Sequence, residues 1–155
     1  MQRSCVLVKP DGLQRGLIGA IIGRFEQKGL KLVGLKMMSL SNEVIDLWYE
    51  HHKSKPFFAG LKAFMQQTPI VAMVWEGLDA VDTIRKLVGT TKGRSAEAGS
   101  IRGDFAMSQS NNLIHASDSV ENAQKEIDLV FSADQLFEFT SGVECLIYSD
   151  EEREV

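Results

Sequence analysis

Apolar residues in this chain fall into short runs and helical stripes that follow one another along the sequence. Residues 5–8 are an apolar run with β-branched character, which predicts a buried strand. Pro10, Asp11 and Gly12 predict a turn behind it. Over residues 17–28, Leu17, Ile18, Ile21, Ile22 and Phe25 keep the spacing of one helix face, with Gly29 as the stop. Residues 30–38 read as a strand whose alternation changes phase at Val33 and Gly34, the mark of a bulge. Ser41 opens a helix with Val44, Ile45 and Trp48 on one face; Pro56 ends that stretch, and residues 57–65 predict another short helix. The wholly apolar residues 70–75 fit a central strand. Leu78, Val81, Ile84 and Val88 mark a further amphipathic helix. The polar stretch 89–112 reads as a loop without regular structure. Residues 113–115 predict a last short strand, and residues 120–131 a last clear helix turning Val120, Ala123, Ile127 and Val130 inward. Two starts are open for that helix: a capping box from Asp118 to Glu121, or a cap at Ser119 one residue later.

The resulting order is strand, helix, strand, helical insertion, strand, helix, long loop, strand, helix. Without the insertion this is a split β-α-β arrangement. The expected fold is therefore α/β (α+β): a ferredoxin-like βαββαβ unit with a four-stranded antiparallel sheet and helices on its faces. No linker or repeat interrupts it, so residues 1–155 are expected to form one domain, with 145–155 an acidic C-terminal tail. Such a fold hosts many activities and does not by itself name one.

Composition narrows the field by exclusion. A hydrophobic fraction of 44% and a charged fraction of 25% are those of an ordinary globular protein. The net charge of −4 gives no global basic field of the kind nucleic-acid binders carry, so no nucleic acid is required as a partner. Asp150, Glu151, Glu152 and Glu154 supply much of the negative charge and read as solvated. Cys5 and Cys145 are expected to be buried free thiols, since two separated cysteines make neither a disulfide framework nor a metal site. No apolar run is long enough to span a membrane, and Lys9 interrupts the first one too early for a signal peptide. A cytoplasmic location is the default expectation.

Chemistry gathers in two places. The loop 89–112 holds Lys92, Arg94 and Arg102, with Arg85 on the helix before it. Structureless stretches of that length are uncommon inside compact domains and often bind ligands, although a solvated surface loop explains the charges equally well. His115 follows the apolar Leu113 and Ile114 and precedes a helix N-terminus, a position that favours anions. Histidine, with an ordinary pKa of about 6.5, is largely neutral near pH 7 and so available as a nucleophile. Glu126, about two turns along, is placed to orient the ring. Read alone, His115 is more readily a structural histidine hydrogen-bonded at a strand end. His51 and His52 are adjacent on a helix, so their side chains are expected to diverge rather than share a metal. There is no GxxxxGKS or GxxxxGKT loop and no protein-kinase motif set. Lys9-Pro10-Asp11-Gly12 puts a cation at the carboxyl end of the first strand.

The string Asn112-Leu-Ile-His115-Ala-Ser-Asp-Ser119 resembles the active-site signature of nucleoside diphosphate kinases, NxxHGSDS with alanine for glycine. VKPDG at 8–12, KPFF at 55–58, VAMVWEG at 71–77, SIRGDF at 100–105 and Glu126-Ile127 join it in the family's order. The resemblance runs from about residue 3 to residue 139. It implies a ping-pong reaction: a nucleoside triphosphate phosphorylates His115, and a nucleoside diphosphate collects the group. It also implies roles. Lys9, Arg85 and Arg102 match phosphate-binding cations, and Thr91 and Tyr49 match hydroxyl donors. Asn112 matches a ribose-holding side chain, and Ser117 and Glu126 match partners of the histidine. Phe57 matches a ring that stacks on any base and so allows broad base specificity, while Phe58 is expected in the core. Mg²⁺ is expected on the nucleotide phosphates without a direct protein ligand, unless through Asp118, for which a helix-cap role stays open. Relatives form homo-oligomers, hexamers or tetramers. Asn111 and Ser110 replace a basic residue and a glycine usual in the family, and Gly93 and Ala98 stand where prolines are common. These departures bear on loop rigidity and subunit contacts, not on His115, Lys9 or Arg102. An RNA-binding module of the same fold would need an aromatic strand motif and a basic face, and neither is present. An idle nucleotide-binding relative would have lost the histidine or a cation. A role as an interaction partner is compatible as an addition.

Overall fold

The computed structural model describes residues 1–153. Its sheet has four strands, β1 (Gln2–Val8), β2 (Lys31–Met38), β3 (Ile70–Gly77) and β4 (Ile114–Ala116), in the order β2-β3-β1-β4 and antiparallel throughout. The expected ferredoxin-like layout is thus the observed one. β1 starts earlier than its apolar run because pairing with β3 extends to Gln2 and Gly77, and Arg3 is held by Glu76 across the pair at 2.8 Å. The bulge lies where the alternation changes phase, between Leu32 and Gly34.

Strand alternation divides the core in two. On one face, Val6, Val8, Met73 and Trp75 meet Ile21 and Phe25 of α2 (Ile18–Lys28) and Ile84 and Val88 of α5 (Ala80–Val88). On the other, Cys5, Leu7, Ala72 and Val74 meet three helices. These are α3 (Asn42–Trp48), α4 (Phe58–Met65) and α7 (Val120–Val130). Phe58 packs against this second core, as expected. No helix among the described residues is long and apolar enough to cross a membrane.

Several local expectations are corrected. Pro10, Asp11 and Gly12 open a helical turn, α1 (Pro10–Gln14), rather than a plain turn, with proline at a first-turn position that its fixed φ suits. The stretch 89–112 is not structureless: it holds a 3₁₀ turn (Gly93–Ser95) and α6 (Ile101–Phe105). Ser100 caps α6, its Oγ accepting from Gly103 N at 3.0 Å. Of the two possible caps for α7, Ser119 is the one used, accepting from Asn122 N at 3.1 Å. Val120 is exposed instead of inward, so the buried stripe of α7 begins at Ala123. Cys5 is buried but Cys145 is exposed. Residues 145–153 carry parts of two short helices, α8 (Glu144–Ile147) and α9 (Asp150–Arg153). Ile147 lies against Gly29, and Tyr148 Oη accepts from Leu78 N at 3.3 Å. Asp150, Glu151 and Glu152 stay exposed; Glu154 lies outside the described residues.

Candidate active site

The alternation that builds the core also aims the chemistry. Ile114 and Ala116 side with the first core, so His115 between them emerges on the second face, opposite its register partner Leu7. Lys9 follows Leu7 by two residues with an extended backbone (φ −75°, ψ 168°), in step with it.

His115 Nε2 lies 2.8 Å from Glu126 Oε1. The other carboxylate oxygen accepts from Ser117 Oγ at 2.6 Å, and Ser117 Oγ in turn accepts from Cys5 N at 3.0 Å. An ionised carboxylate only accepts, so Nε2 carries the ring proton and Nδ1 keeps its lone pair. Leu113, two residues earlier, has φ 73°, a left-handed conformation that is strained for a side chain of this kind. Its peptide is clamped on both sides. Leu113 O accepts from Lys9 N at 2.8 Å, and Leu113 N donates to Asp11 Oδ2 at 3.0 Å. The strain, about 1–3 kcal/mol on the usual scale, is thus held one peptide short of the strand that carries His115.

The cations come from separate elements. Buried Lys9 donates from Nζ to Asn112 Oδ1 at 2.7 Å. Burial, then the charge of Arg102, pulls its pKa down to about 8, with Asp11 opposing. Arg102, on α6, donates to the carbonyls of Asn112, Gly89 and Ile114 at 3.3, 3.0 and 2.6 Å. One N–H on each terminal nitrogen is left over. Burial, then Arg85, lowers its pKa to about 10. Arg85 itself is exposed on α5.

These groups line one cleft of about 1250 Å³, together with Tyr49, Phe57, Thr91, Asn112 and Asp118. Phe57 stands half-exposed just before α4, with Lys55 Nζ 5.7 Å from its ring centre. Tyr49 is buried, and burial followed by the charge of Glu126 pushes its phenol above the ordinary range, so it stays a donor. Asp118 Oδ1 accepts from Asn122 Nδ2 at 2.7 Å, a bond that holds its carboxyl below the usual value. Both hydrogens of the Asn112 amide are committed, to the carbonyls of Thr91 (2.9 Å) and Gln109 (2.8 Å). Among the described residues no group of three or more metal-ligating side chains converges.

Residues 2–136 match the family model for nucleoside diphosphate kinase. A nucleoside diphosphate kinase of Crocosphaera subtropica is 50% identical over 148 residues, covering 96% of this chain and 99% of that one. Human nucleoside diphosphate kinase A is 50% identical over 147 residues, covering 95% and 97%. The solved structure of a halophilic nucleoside diphosphate kinase from Halobacterium salinarum in complex with CDP superposes with a TM-score of 0.93 at 44% identity. It covers 96% of this chain and 99% of that one. The chain belongs to the nucleoside diphosphate kinase family. As a nucleoside diphosphate kinase it transfers the γ-phosphoryl of a nucleoside triphosphate to a nucleoside diphosphate.

Every residue to which the resemblance gives a role in this nucleoside diphosphate kinase lies on the cleft or, for Ser117, directly behind it, whereas the loop cations Lys92 and Arg94 do not line it. The cleft also holds residues with no site signal in the sequence, Trp48, Gln109 and Lys125 among them. Spacing places Trp48 only on a helix core face, Gln109 has no spacing to mark it, and Lys125 looks like a plain surface lysine. His51 and His52 do not diverge. The α-helix stops at Trp48, the pair sits on a 3₁₀ turn (Glu50–His52), and the ring centres are 3.9 Å apart. Gly93, at a place where prolines are common in relatives, donates from its N–H to Ser108 O at 3.0 Å. A Cβ on it would meet Ala106 O at 2.4 Å. Here the loop is tied by a backbone bond that proline lacks.

Proposed function

We propose that the phosphoryl group travels on Nδ1 of His115 in a ping-pong cycle. The observation that carries this reading is the chain Cys5–Ser117–Glu126–His115, which occupies Nε2 and leaves Nδ1 bare in a cleft lined by cations. Nδ1 donates its lone pair to the γ-phosphorus as the bond to the leaving diphosphate's oxygen breaks. Glu126 balances the positive charge that grows on the ring. A second nucleoside diphosphate reverses the step with its own terminal oxygen. Lys9, Arg85 and the free N–H groups of Arg102 neutralise the phosphate oxygens, which is the main demand of in-line phosphoryl transfer. Tyr49 and Thr91 add hydroxyl donors. Asn112 has only Oδ1 left to offer, so it takes a ribose hydroxyl as acceptor, beside Lys9 Nζ. Phe57 stacks on the base without reading its edge, which allows broad base use.

Mg²⁺ fits the donor set: it favours phosphate oxygens and water with at most one or two carboxylates. Asp118, kept ionised at the cleft, is the candidate for such a contact. The bound ion supplies charge neutralisation. We further propose a homo-oligomer, hexamer or tetramer, working in the cytoplasm.

Incubation with γ-labelled ATP and Mg²⁺ is expected to label one acid-labile, base-stable site, and added GDP to remove the label as GTP. A chain that takes up no label, or holds it through acid, overturns the phosphohistidine.

Lys9 adds a pH signature. A lysine with its pKa near 8 is charged below that pH and neutral above it. The free enzyme therefore loses a phosphate-binding charge as pH rises through about 8. kcat/KM is expected to fall there, approaching roughly tenfold per pH unit. Bound phosphate favours the charged form, so the break in kcat comes at higher pH. Lys9→Arg should remove the break near 8; a profile that keeps it points to another group.

A further inference from the structure

Trp48 ends α3 and is buried in the second core, yet it also reaches the cleft wall. Its ring centre is 5.3 Å from that of His115, with the planes at 78°. That edge-to-face geometry is one aromatic pairs favour. A second observation is independent of the first: Trp48 Nε1 is buried with no hydrogen-bond partner among the described residues. Burying an indole N–H without an acceptor destabilises a fold, and leucine or phenylalanine would fill apolar space without that cost. Trp75 Nε1 in the opposite core is unpartnered too, so the reason for an indole at this place lies in what Trp48 touches.

The imidazole supplies it. Its bond to Glu126 fixes Nε2 as a point but leaves the ring free to swing about the line between the two residues. A second restraint is needed to set the ring plane, and the indole is the aromatic surface in place to give it. We propose that Trp48 is a positioning residue for His115, holding the imidazole plane so that Nδ1 faces the incoming phosphorus. This rests on the reading of His115 as the phosphoryl carrier.

Positioning acts on the chemical step, and small displacements at a reacting centre carry large rate penalties. Trp48→Leu is expected to slow single-turnover labelling of His115 by γ-labelled ATP about tenfold, with KM within about twofold. Trp48→Phe, which keeps an aromatic edge, should recover to within about threefold of the unaltered rate. A spectroscopic readout separates this from a packing role. The chain has two tryptophans, and Trp75 lies in the opposite core, 5.2 Å from Phe25. Phosphorylated protein freed of nucleotide should differ in tryptophan emission from the unphosphorylated protein, and Trp48→Phe should lose that difference. Should Trp48→Leu fail to fold, the emission comparison with Trp48→Phe decides. Labelling by Trp48→Leu at the unaltered rate overturns the proposal, as does an emission change that persists in Trp48→Phe. Absence of label in the unaltered protein sinks the phosphohistidine itself, so the two failures are told apart.

Discussion

His115→Ala is expected to lower phosphoryl transfer by about 10⁴-fold or more, the scale on which loss of a covalent nucleophile acts. The reason is the division of labour in the cleft. In the proposed cycle Lys9, Arg85 and Arg102 hold phosphate and Glu126 holds the ring, but among the cleft groups only Nδ1 of His115 has an unshared pair positioned by a hydrogen bond on the other side of its own ring. Nucleotide binding should survive, because Lys9 is anchored to Asn112 and Arg102 to backbone carbonyls, neither of them to the imidazole. The side chain is partly exposed, and its removal costs one hydrogen bond, about 1–3 kcal/mol if Glu126 is left unpaired. For a chain of this size each kcal/mol moves Tm by about 2–4 °C, so the fold persists. Nucleotide titration, a thermal melt and the labelling assay check the three parts together. Label that persists in the alanine variant would remove His115 from the reaction.

Gly103→Ala should have the largest effect on stability. A Cβ there would stand 1.9 Å from Glu97 O and 2.6 Å from the carbon of the same carbonyl. The obstacle is backbone, and that backbone is fixed: Ser100 Oγ donates to Glu97 O at 2.6 Å while accepting from Gly103 N at 3.0 Å. Relief of the clash must undo the cap of α6. An expected loss of about 3 kcal/mol, at the upper end for overpacking, lowers Tm by roughly 6–12 °C. Arg102 precedes Gly103, so its grip on the carbonyls of Gly89, Asn112 and Ile114 shifts as well. kcat/KM of the folded fraction should then fall by at least about tenfold. A melt within about 2 °C of the unaltered protein would show that the loop yields at no cost.

The sequence was most informative where a pattern repeats. β3 is apolar at every position to Trp75, and α2 and α5 show full stripes; each lies where periodicity puts it. Even the bulge at Val33 is visible, because one extra residue inverts every side chain beyond it. α1 and α6, at five residues each, complete too few turns to show a period, and α6 depends on Ser100 and Asp104 bonding locally. Val120 fits the stripe of α7 by spacing, but spacing does not tell how far the covering layer extends. In the site, His115, Glu126 and Ser117 were legible because the motif carries them together. Trp48 was not: periodicity reports that a side chain turns inward and is silent about which neighbour it meets from another element. The committed amide of Asn112 was hidden for a like reason, since its partners are main-chain oxygens that carry no sequence signal.

Arg102 spends most of its donors on main-chain oxygens, and one of those belongs to Ile114 in the nucleophile's own strand. In the proposed cycle, counter-charge and attacking group are therefore parts of one hydrogen-bonded frame. Such a centre needs no lid to assemble it. The orientational entropy that must be lost falls on the incoming polyphosphate alone, and a ligand that docks correctly finds the chemistry already aligned.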